Sequence, residues 1–226
     1  MEQKRPNRAK LFSPRYLVYD FIKATAALPG MLWMRPRWIF ETKAARKRIR
    51  GGALLIANHD GFFDPIYVMF AVWYRRHHFI CGKEFFESKY RWLFKQFLCI
   101  PIDRANVGFQ SLREITDELK SGSLVSIFPE GHINDGSGNL GAFKSGMVLI
   151  ALQGRVPIVP VYVKQKAHFY NRVTFVIGEP IDLFKRYGRR PSMSEIDAIA
   201  AELQQKEEEL KQIAFQKRRR NDANTQ

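Results

Sequence analysis

The sequence predicts an α/β fold, in which a largely parallel central sheet is flanked by helices and an N-terminal amphipathic helical segment is added. Short apolar, β-branched runs alternate with helical patterns, which is typical of parallel strands joined by helices. The chain has 226 residues, 46% of them hydrophobic, so it is long enough for one domain with a buried core and is not a disordered chain. Its two cysteines exclude a disulfide-stapled domain and a cysteine-based zinc cluster.

Each predicted element is a short run with one dominant period. Apolar runs predict strands at residues 53–57, 79–81, 99–102, 124–128, 158–163 and 173–177. Helical patterns fall at residues 65–73, 84–98, 107–120, 142–152 and 194–215. Two prolines in residues 156–161 predict that this strand lies at an edge of the sheet or has an interrupted ladder.

The final helical pattern has an apolar stripe at helical spacing. The stripe comprises Ile196, Ile199, Leu203, Leu210 and Ile213, with charged residues elsewhere on the helix.

Positive charge is concentrated at the two ends of the chain. The net charge is +15, from 37 Lys and Arg against 22 Asp and Glu. Residues 1–50 hold 13 basic and 3 acidic residues, residues 51–215 hold 20 and 18, and residues 216–226 hold 4 and 1. We therefore predict a basic amphipathic membrane-associating segment (1–50), a nearly neutral domain (51–215) and a basic disordered tail (216–226). This distribution favours an anionic membrane surface over nucleic acid, which usually needs a basic groove in the domain itself.

The N-terminal segment is apolar but not long enough to span a membrane. Residues 16–34 are interrupted by Asp20 and Lys23 and broken by Pro29-Gly30. The sequence also lacks the cleavage pattern of a signal peptide. Tryptophan beside arginine in residues 33–38 is typical of a lipid headgroup boundary, so we expect a peripheral or monotopic protein on the cytoplasmic face of the membrane.

The loop after the first predicted domain strand carries the residues best suited to acid–base chemistry. His59 and Asp64 are five residues apart, and Gly61 permits the turn that would bring them together. The carboxylate would then orient the imidazole, whose other nitrogen takes a proton from a nucleophile. The alternative is that Asp64 only caps the helix that begins at Pro65 and His59 is incidental. Two ligands are too few for a metal site.

Two later loops carry candidate anion-binding groups. Arg104 follows an apolar strand and is suited to clamp a phosphate, or to form a surface ion pair with Asp103. Gly131 follows Glu130 in a glycine-containing turn, and Lys144 adds a cation where a helix opens. The alternative for the third loop is an ordinary strand–loop–helix connection.

Taken in order, four elements resemble the glycerolipid acyltransferases, more specifically the bacterial 1-acyl-sn-glycerol-3-phosphate acyltransferases. The first is the loop that contains Asn58, His59 and Asp64. The other three are residues 100–104, 128–131 and 156–161. The resemblance covers about residues 50–182. Each block is weak alone, but four in family order are specific.

The resemblance implies direct acyl transfer without a cofactor or metal. His59 would be the general base that deprotonates a glycerol hydroxyl of a lysophospholipid, and Asp64 would orient it. The hydroxyl would attack the thioester of acyl-CoA or of an acyl carrier protein, giving phosphatidate for phospholipid biosynthesis. Arg104 would bind the acceptor phosphate. The predicted substrate-binding residues are Asn58, Arg104, Glu130, Gly131 and Lys144.

The sequence departs from the family pattern at three places. Gly61 stands where serine is frequent, and Leu98 where glycine is usual. Residues 132–134 read His-Ile-Asn instead of Thr-Arg-Ser, which leaves open another lysolipid or an aminolipid as acceptor. Three other classes remain as alternatives: a nucleic-acid-binding protein, a hydrolase and an inactive membrane-binding module. The hydrolase alternative is weakened because the sequence has no nucleophile-elbow motif.

Overall fold

The computed structural model describes residues 13–103, 108–134, 139–164, 172–187 and 191–223. Its α-helices are α1 (Leu17–Met34), α2 (Asp64–Ala71), α3 (Glu84–Glu87), α4 (Arg91–Gln96), α5 (Phe109–Lys120), α6 (Gly146–Gly154), α7 (Leu183–Tyr187) and α8 (Met193–Ala223). A short 3₁₀ helix, Pro14–Tyr16, precedes α1. The strands are β1 (Arg37–Phe40), β2 (Ala53–Ala57), β3 (His77–Gly82), β4 (Ile100–Ile102), β5 (Leu124–Ile127), β6 (Ile158–Lys164) and β7 (Thr174–Ile177).

The described strands form one seven-stranded sheet in the order β1-β7-β6-β2-β5-β3-β4. β6 and β7 are antiparallel, and every other neighbouring pair is parallel. The predicted α/β fold with a largely parallel sheet is therefore confirmed.

Helices cover both faces of the sheet, because successive residues of a buried strand point to opposite faces. On β2, Leu55 packs with residues of α1 and α2. Leu54 and Ile56 pack on the other face with residues of α5, α6 and the first turns of α8. Burial on both faces explains why β2 is apolar throughout and was predictable from its composition.

Strand β1 and two helix boundaries differ from the sequence prediction. β1 lies inside the basic segment 1–50 and pairs with β7, so part of that segment belongs to the sheet. The predicted helix 84–98 is two helices, because the Ser88 hydroxyl bonds the carbonyl of Phe85 and competes with the helical ladder. The backbone of residues 216–223 is helical, where a disordered tail was expected, since lysine, arginine and alanine favour helix; residues 224–226 lie outside the described range.

The predicted edge position of the proline-containing strand is wrong, whereas the interrupted ladder is present. β6 is an inner strand between β2 and β7. Pro160 lies opposite Gly178, just past the end of β7, and its carbonyl accepts a hydrogen bond from the Gly178 N–H. Pro160 cannot donate a ladder hydrogen bond, but none is needed at this position because its partner lies just past the end of β7.

Helix α1 continues through Pro29, where the sequence predicted a break. It lies directly on α2, since a Cβ added to Gly30 would come within 2.5 Å of the Phe70 ring. None of the described helices is both long and apolar enough to cross a membrane.

Leu98 has a φ of 56°, the left-handed region that favours glycine. This is the position where the resembled family usually has glycine. The side chain is nevertheless buried with Tyr16 and Tyr19, so it contributes to holding the start of α1 on the domain. Packing therefore offsets a backbone strain of about 1 kcal/mol or more.

Helix α8 buries a carboxyl group. Glu207 occupies the stripe position between Leu203 and Leu210, is 0% exposed, and neither of its oxygens has a hydrogen-bond partner of acceptable geometry among the described residues. Burial and the neighbouring carboxylate of Glu130 raise its pKa well above the ordinary value, although the Asn58 backbone amide acts in the opposite direction. Burial of Glu207 therefore favours its neutral form in the folded protein.

We predict that Glu207→Gln stabilises the protein relative to wild type as the pH rises from 5 to 7. Over this range the unfolded wild-type Glu207 is largely ionised, whereas its raised pKa in the folded protein opposes ionisation, so the folded state binds more protons and its stability falls with rising pH. The variant lacks this loss, which is at most about 1.4 kcal/mol per pH unit.

Urea unfolding of both proteins at several pH values measures the difference. Glu209→Gln, an exposed change on the same helix, is the matched control and should show no such trend. A pH-independent difference between Glu207→Gln and wild type would contradict the assignment.

Candidate active site

The loop between β2 and α2 brings His59 and Asp64 together. Asp64 is 0% exposed, and its Oδ2 atom lies 2.9 Å from His59 Nδ1. The same oxygen accepts a 2.8 Å hydrogen bond from the Gly61 N–H. Because a carboxylate only accepts hydrogen bonds, Nδ1 of His59 is the donor, and in the neutral ring Nε2 is left with the lone pair. No described residue bonds Nε2, so this nitrogen is available as a base.

Asp64 is the first residue of α2, not its N-cap. Phe63 occupies the N-cap and makes no side-chain cap. The Asp64 carboxylate is directed at His59 and Gly61, so the alternative in which it only caps the helix does not describe the structure.

Three contacts outside the loop hold His59 in place. Its ring stacks on Phe128 with centroids 4.2 Å apart. Its backbone N–H donates to Glu130 Oε1 at 2.9 Å, and its carbonyl accepts from the Asn134 N–H at 2.8 Å. The side chain is 15% exposed, so the ring is largely enclosed by these contacts but still reaches solvent.

Glu130 joins two loops from a buried position. It is 1% exposed, and its Oε2 accepts a 2.6 Å hydrogen bond from the Gly141 N–H while Oε1 holds the His59 N–H. Both carboxylate oxygens are thus engaged by backbone amides of the protein. Glu130 is a positioning group in this geometry, and its predicted contact with substrate stays a prediction.

Asn58 joins the carboxyl ends of β2 and β6. It is 0% exposed; its Oδ1 accepts from the Val163 N–H at 2.8 Å, and its Nδ2 donates to the Val163 carbonyl at 3.1 Å and to Asp60 at 2.6 Å. Asp60 also accepts from the side chain of Asn134 at 3.0 Å. These bonds explain why Asn58 precedes the histidine, and its predicted substrate contact stays a prediction.

Gly131 and Lys144 lie in contact. Gly131 has a φ of 74°, and a Cβ placed there would be 2.8 Å from the Lys144 Nζ atom. The Lys144 side chain is exposed and has no ion-pair partner among the described residues. The pair therefore presents a cation over a glycine turn at the same sheet edge as His59.

Arg104 lies outside the described residues, so its predicted phosphate contact stays a prediction. The preceding residue, Asp103, forms an ion pair with Lys83 at 2.7 Å. Within the described ranges, no group of three or more His, Cys, Asp or Glu side chains is arranged to hold a metal ion.

Asn134 and Glu207 lie at the site, although the sequence pattern does not predict them there. Asn134 belongs to the His-Ile-Asn departure from the family pattern, yet it bonds both His59 and Asp60. Glu207 was detectable as a charged residue on the apolar stripe of the last helix. The contact of either residue with the loop depends on tertiary packing.

Comparison with known proteins agrees with this geometry. Residues 39–164, more than half of the chain, match the acyltransferase family. The chain is 29% identical to 1-acyl-sn-glycerol-3-phosphate acyltransferase of Streptococcus pneumoniae over 70% of this chain and 62% of that protein. It is 32% identical to a probable enzyme of the same name from Mycoplasma pneumoniae over 47% and 42%. The matched region thus spans less than two thirds of the length of these relatives.

A solved structure shows the same fold. The crystal structure of the 1-acyl-sn-glycerophosphate acyltransferase of Thermotoga maritima superposes with a TM-score of 0.62 at 24% identity, covering 91% of this chain and 83% of that chain. The fold, the site geometry and the extent of the family match lead to one conclusion: the chain belongs to the acyltransferase family.

Proposed function

We propose that the protein transfers a fatty acyl group from an acyl thioester to the free hydroxyl of 1-acyl-sn-glycerol-3-phosphate, giving phosphatidate and a free thiol. The observation that carries this proposal is the His59–Asp64 pair, 2.9 Å apart and fixed at the carboxyl end of β2. The relatives with this enzyme name support the acceptor.

His59 moves one proton in each half of the proposed reaction. Nε2 takes the proton of the glycerol hydroxyl as its oxygen attacks the thioester carbonyl, because an alkoxide does not form unaided at neutral pH. Asp64 then stabilises the imidazolium through Nδ1–H. When the tetrahedral intermediate collapses, the C–S bond breaks and the imidazolium returns the proton to the departing thiolate. The donor is acyl-CoA or an acyl carrier protein.

Cations of the site suit a phosphate-bearing acceptor. Lys144 extends an unpaired ammonium over Gly131, beside the buried Glu130. We include Lys144 in the acceptor site, with Arg104 as a second phosphate ligand. A second candidate function is acyl transfer to another lysolipid or an aminolipid, which is favoured by the His-Ile-Asn sequence at residues 132–134.

We also propose that the protein works on a membrane surface through α1. The outward side of this helix carries exposed apolar residues at helical spacing: Leu17 (66%), Phe21 (69%), Leu28 (66%) and Leu32 (70%). An apolar stripe of this kind on a basic segment is typical of interfacial helices. Because α1 contacts α2 at Phe70, near the end of α2 opposite Asp64, docking by α1 would bring α2 close to lipid.

The active-site loop itself adds apolar surface. Phe62 is 73% exposed and Phe63 is 60% exposed, and both lie between His59 and Asp64 in the chain. Aromatic rings in this position would enter the headgroup region when α1 docks. The acceptor, which is an amphiphile, would then reach His59 without leaving the interface.

We predict that His59→Ala lowers acyl transfer by about 10²–10⁴-fold, because the general base is lost. Asp64→Asn should lower it as well, since the amide no longer holds the productive tautomer. The measurement is product identification by mass spectrometry with lysophosphatidate, other lysolipids and an aminolipid, each offered with both donor types.

Thermal unfolding of each variant checks that the fold is retained, and Asp117→Asn, an exposed acid remote from the site, is the matched control. Full activity of folded His59→Ala would refute the proposed mechanism. If the wild type transferred the acyl group only to a different acceptor, the proposed substrate would be wrong and the proposed mechanism would stand.

We predict that the double variant Leu28→Glu/Leu32→Glu binds phosphatidylglycerol-containing vesicles more weakly than wild type, since two charges on the outward face oppose insertion. Flotation of vesicles measures binding. Ala201→Glu/Gln205→Glu adds the same charges at the same spacing on the exposed side of α8 and should float like wild type. Undiminished flotation of the α1 variant would show that another surface binds the membrane.

A further inference from the structure

A cavity of about 250 Å³ opens at the end of α2 remote from His59. Its floor is apolar and includes Trp38 and Phe40 of β1 and Ile177 of β7. Its rim is formed by three consecutive cations, Arg46, Lys47 and Arg48. An apolar floor beside a cationic rim is complementary to an anionic amphiphile.

The cavity is separate from the candidate active site. Asp64 opens α2 beside His59, whereas the cavity is lined by Ala71 and Val72 at the other end of the helix. The rise along α2 from Asp64 to Ala71 is about 10 Å. The proton transfers proposed for His59 do not use this cavity.

The segment that carries the cations is fixed from two sides. The Tyr74 hydroxyl accepts the Ile49 N–H at 2.9 Å. The guanidinium of Arg75 donates to the carbonyls of Ile49, Gly51 and Gly122 at 2.8–2.9 Å. The backbone that follows the three cations is therefore fixed before any ligand binds, which lowers part of the entropic cost of binding.

The three cations are available to an external anion. Arg46, Lys47 and Arg48 are exposed, and none has an ion-pair partner among the described residues. Arg48 lies over the Tyr74 ring, 5.3 Å from its centroid, which keeps its guanidinium at the cavity. Unpaired guanidinium and ammonium groups side by side are typical of phosphate recognition.

Position also favours a lipid over a water-soluble anion. Trp73 lines the cavity and is 48% exposed, and the neighbouring Arg75 carbonyl accepts a hydrogen bond from Lys23 of α1. The cavity therefore lies beside the helix that we propose docks on the membrane. Its volume is below the roughly 300–1,000 Å³ of typical small-molecule sites, so it holds part of one acyl chain rather than a whole lipid.

We propose that this cavity is a second, non-catalytic lipid site that binds an anionic phospholipid of the membrane. The phosphate lies on Arg46, Lys47 and Arg48, and the adjoining acyl chain lies on the floor formed by Trp38 and Ile177. The site holds the protein on anionic membrane in a fixed orientation. Its lipid recognition does not depend on the proposed acyl transfer.

Titration calorimetry with the full chain tests the site, using dihexanoyl phosphatidylglycerol below its micelle concentration. This lipid is neither acceptor nor product of the proposed reaction. We expect the triple change of Arg46, Lys47 and Arg48 to Gln to weaken its binding at least tenfold. The same change at Lys89, Arg91 and Lys95 of the α4 region removes three exposed cations elsewhere and should leave binding unchanged.

Two further ligands separate the headgroup from the chain. Dihexanoyl phosphatidylcholine, which is zwitterionic, and glycerol phosphate, which has no chains, should each bind more weakly than phosphatidylglycerol. Ala45→Phe places a ring in the cavity from its wall. We expect this variant to bind phosphatidylglycerol no more tightly than glycerol phosphate, with an unchanged melting temperature. Acyl transfer to a short-chain soluble acceptor should be unchanged in the triple variant, so failure of the lipid site and failure of the proposed function are distinguishable.

Equal binding of phosphatidylglycerol to wild type and the triple variant would overturn the proposal. Glycerol phosphate binding as tightly as the lipid would show a simple anion site with no role for the floor. Tight binding of a short oligonucleotide that the triple variant loses, without binding of the lipid, would assign the rim to a polyanion instead.

Discussion

The buried carboxylate of Glu130 is the contact on which the geometry of the candidate site depends. It accepts the backbone N–H groups of His59 and Gly141 and so ties the β2–α2 loop to the loop before α6. A charge buried this deeply is stable only because donors engage both of its oxygens. With the His59 backbone fixed, the imidazole has one position against Asp64 and Phe128. The same charge contributes to keeping Glu207 neutral in the core.

Different parts of this strongly basic chain have different proposed roles. The nearly neutral domain holds His59 and Asp64 2.9 Å apart, and this is the pair that we propose for the chemistry. Two described surfaces are suited to lipid, namely α1 with its exposed leucines and the basic rim formed by residues 46–48. An amphiphilic acceptor, an interfacial helix and an anionic lipid site are mutually consistent, because each places the protein where its proposed substrate is found.

Features fixed by local sequence were predictable, and those fixed by contacts between distant segments were not. The strand β2 and the pairing of His59 with Asp64 followed from an apolar run and a glycine turn within twelve residues of chain. Strand β1 is four residues in a basic segment, and only its pairing with β7 makes it a strand. The left-handed Leu98 is tolerated because Tyr16 and Tyr19 bury its side chain.

The central claim is that Asp64 holds His59 with its proton on Nδ1, so that Nε2 is the base. Nitrogen-15 NMR of the His59 imidazole measures this directly, with assignment by comparison with His59→Gln. At a pH where the ring is neutral, the account predicts a protonated Nδ1 and a bare Nε2, with a mixture of tautomers in Asp64→Asn. A neutral His59 that carries its proton on Nε2 in the wild type would contradict it.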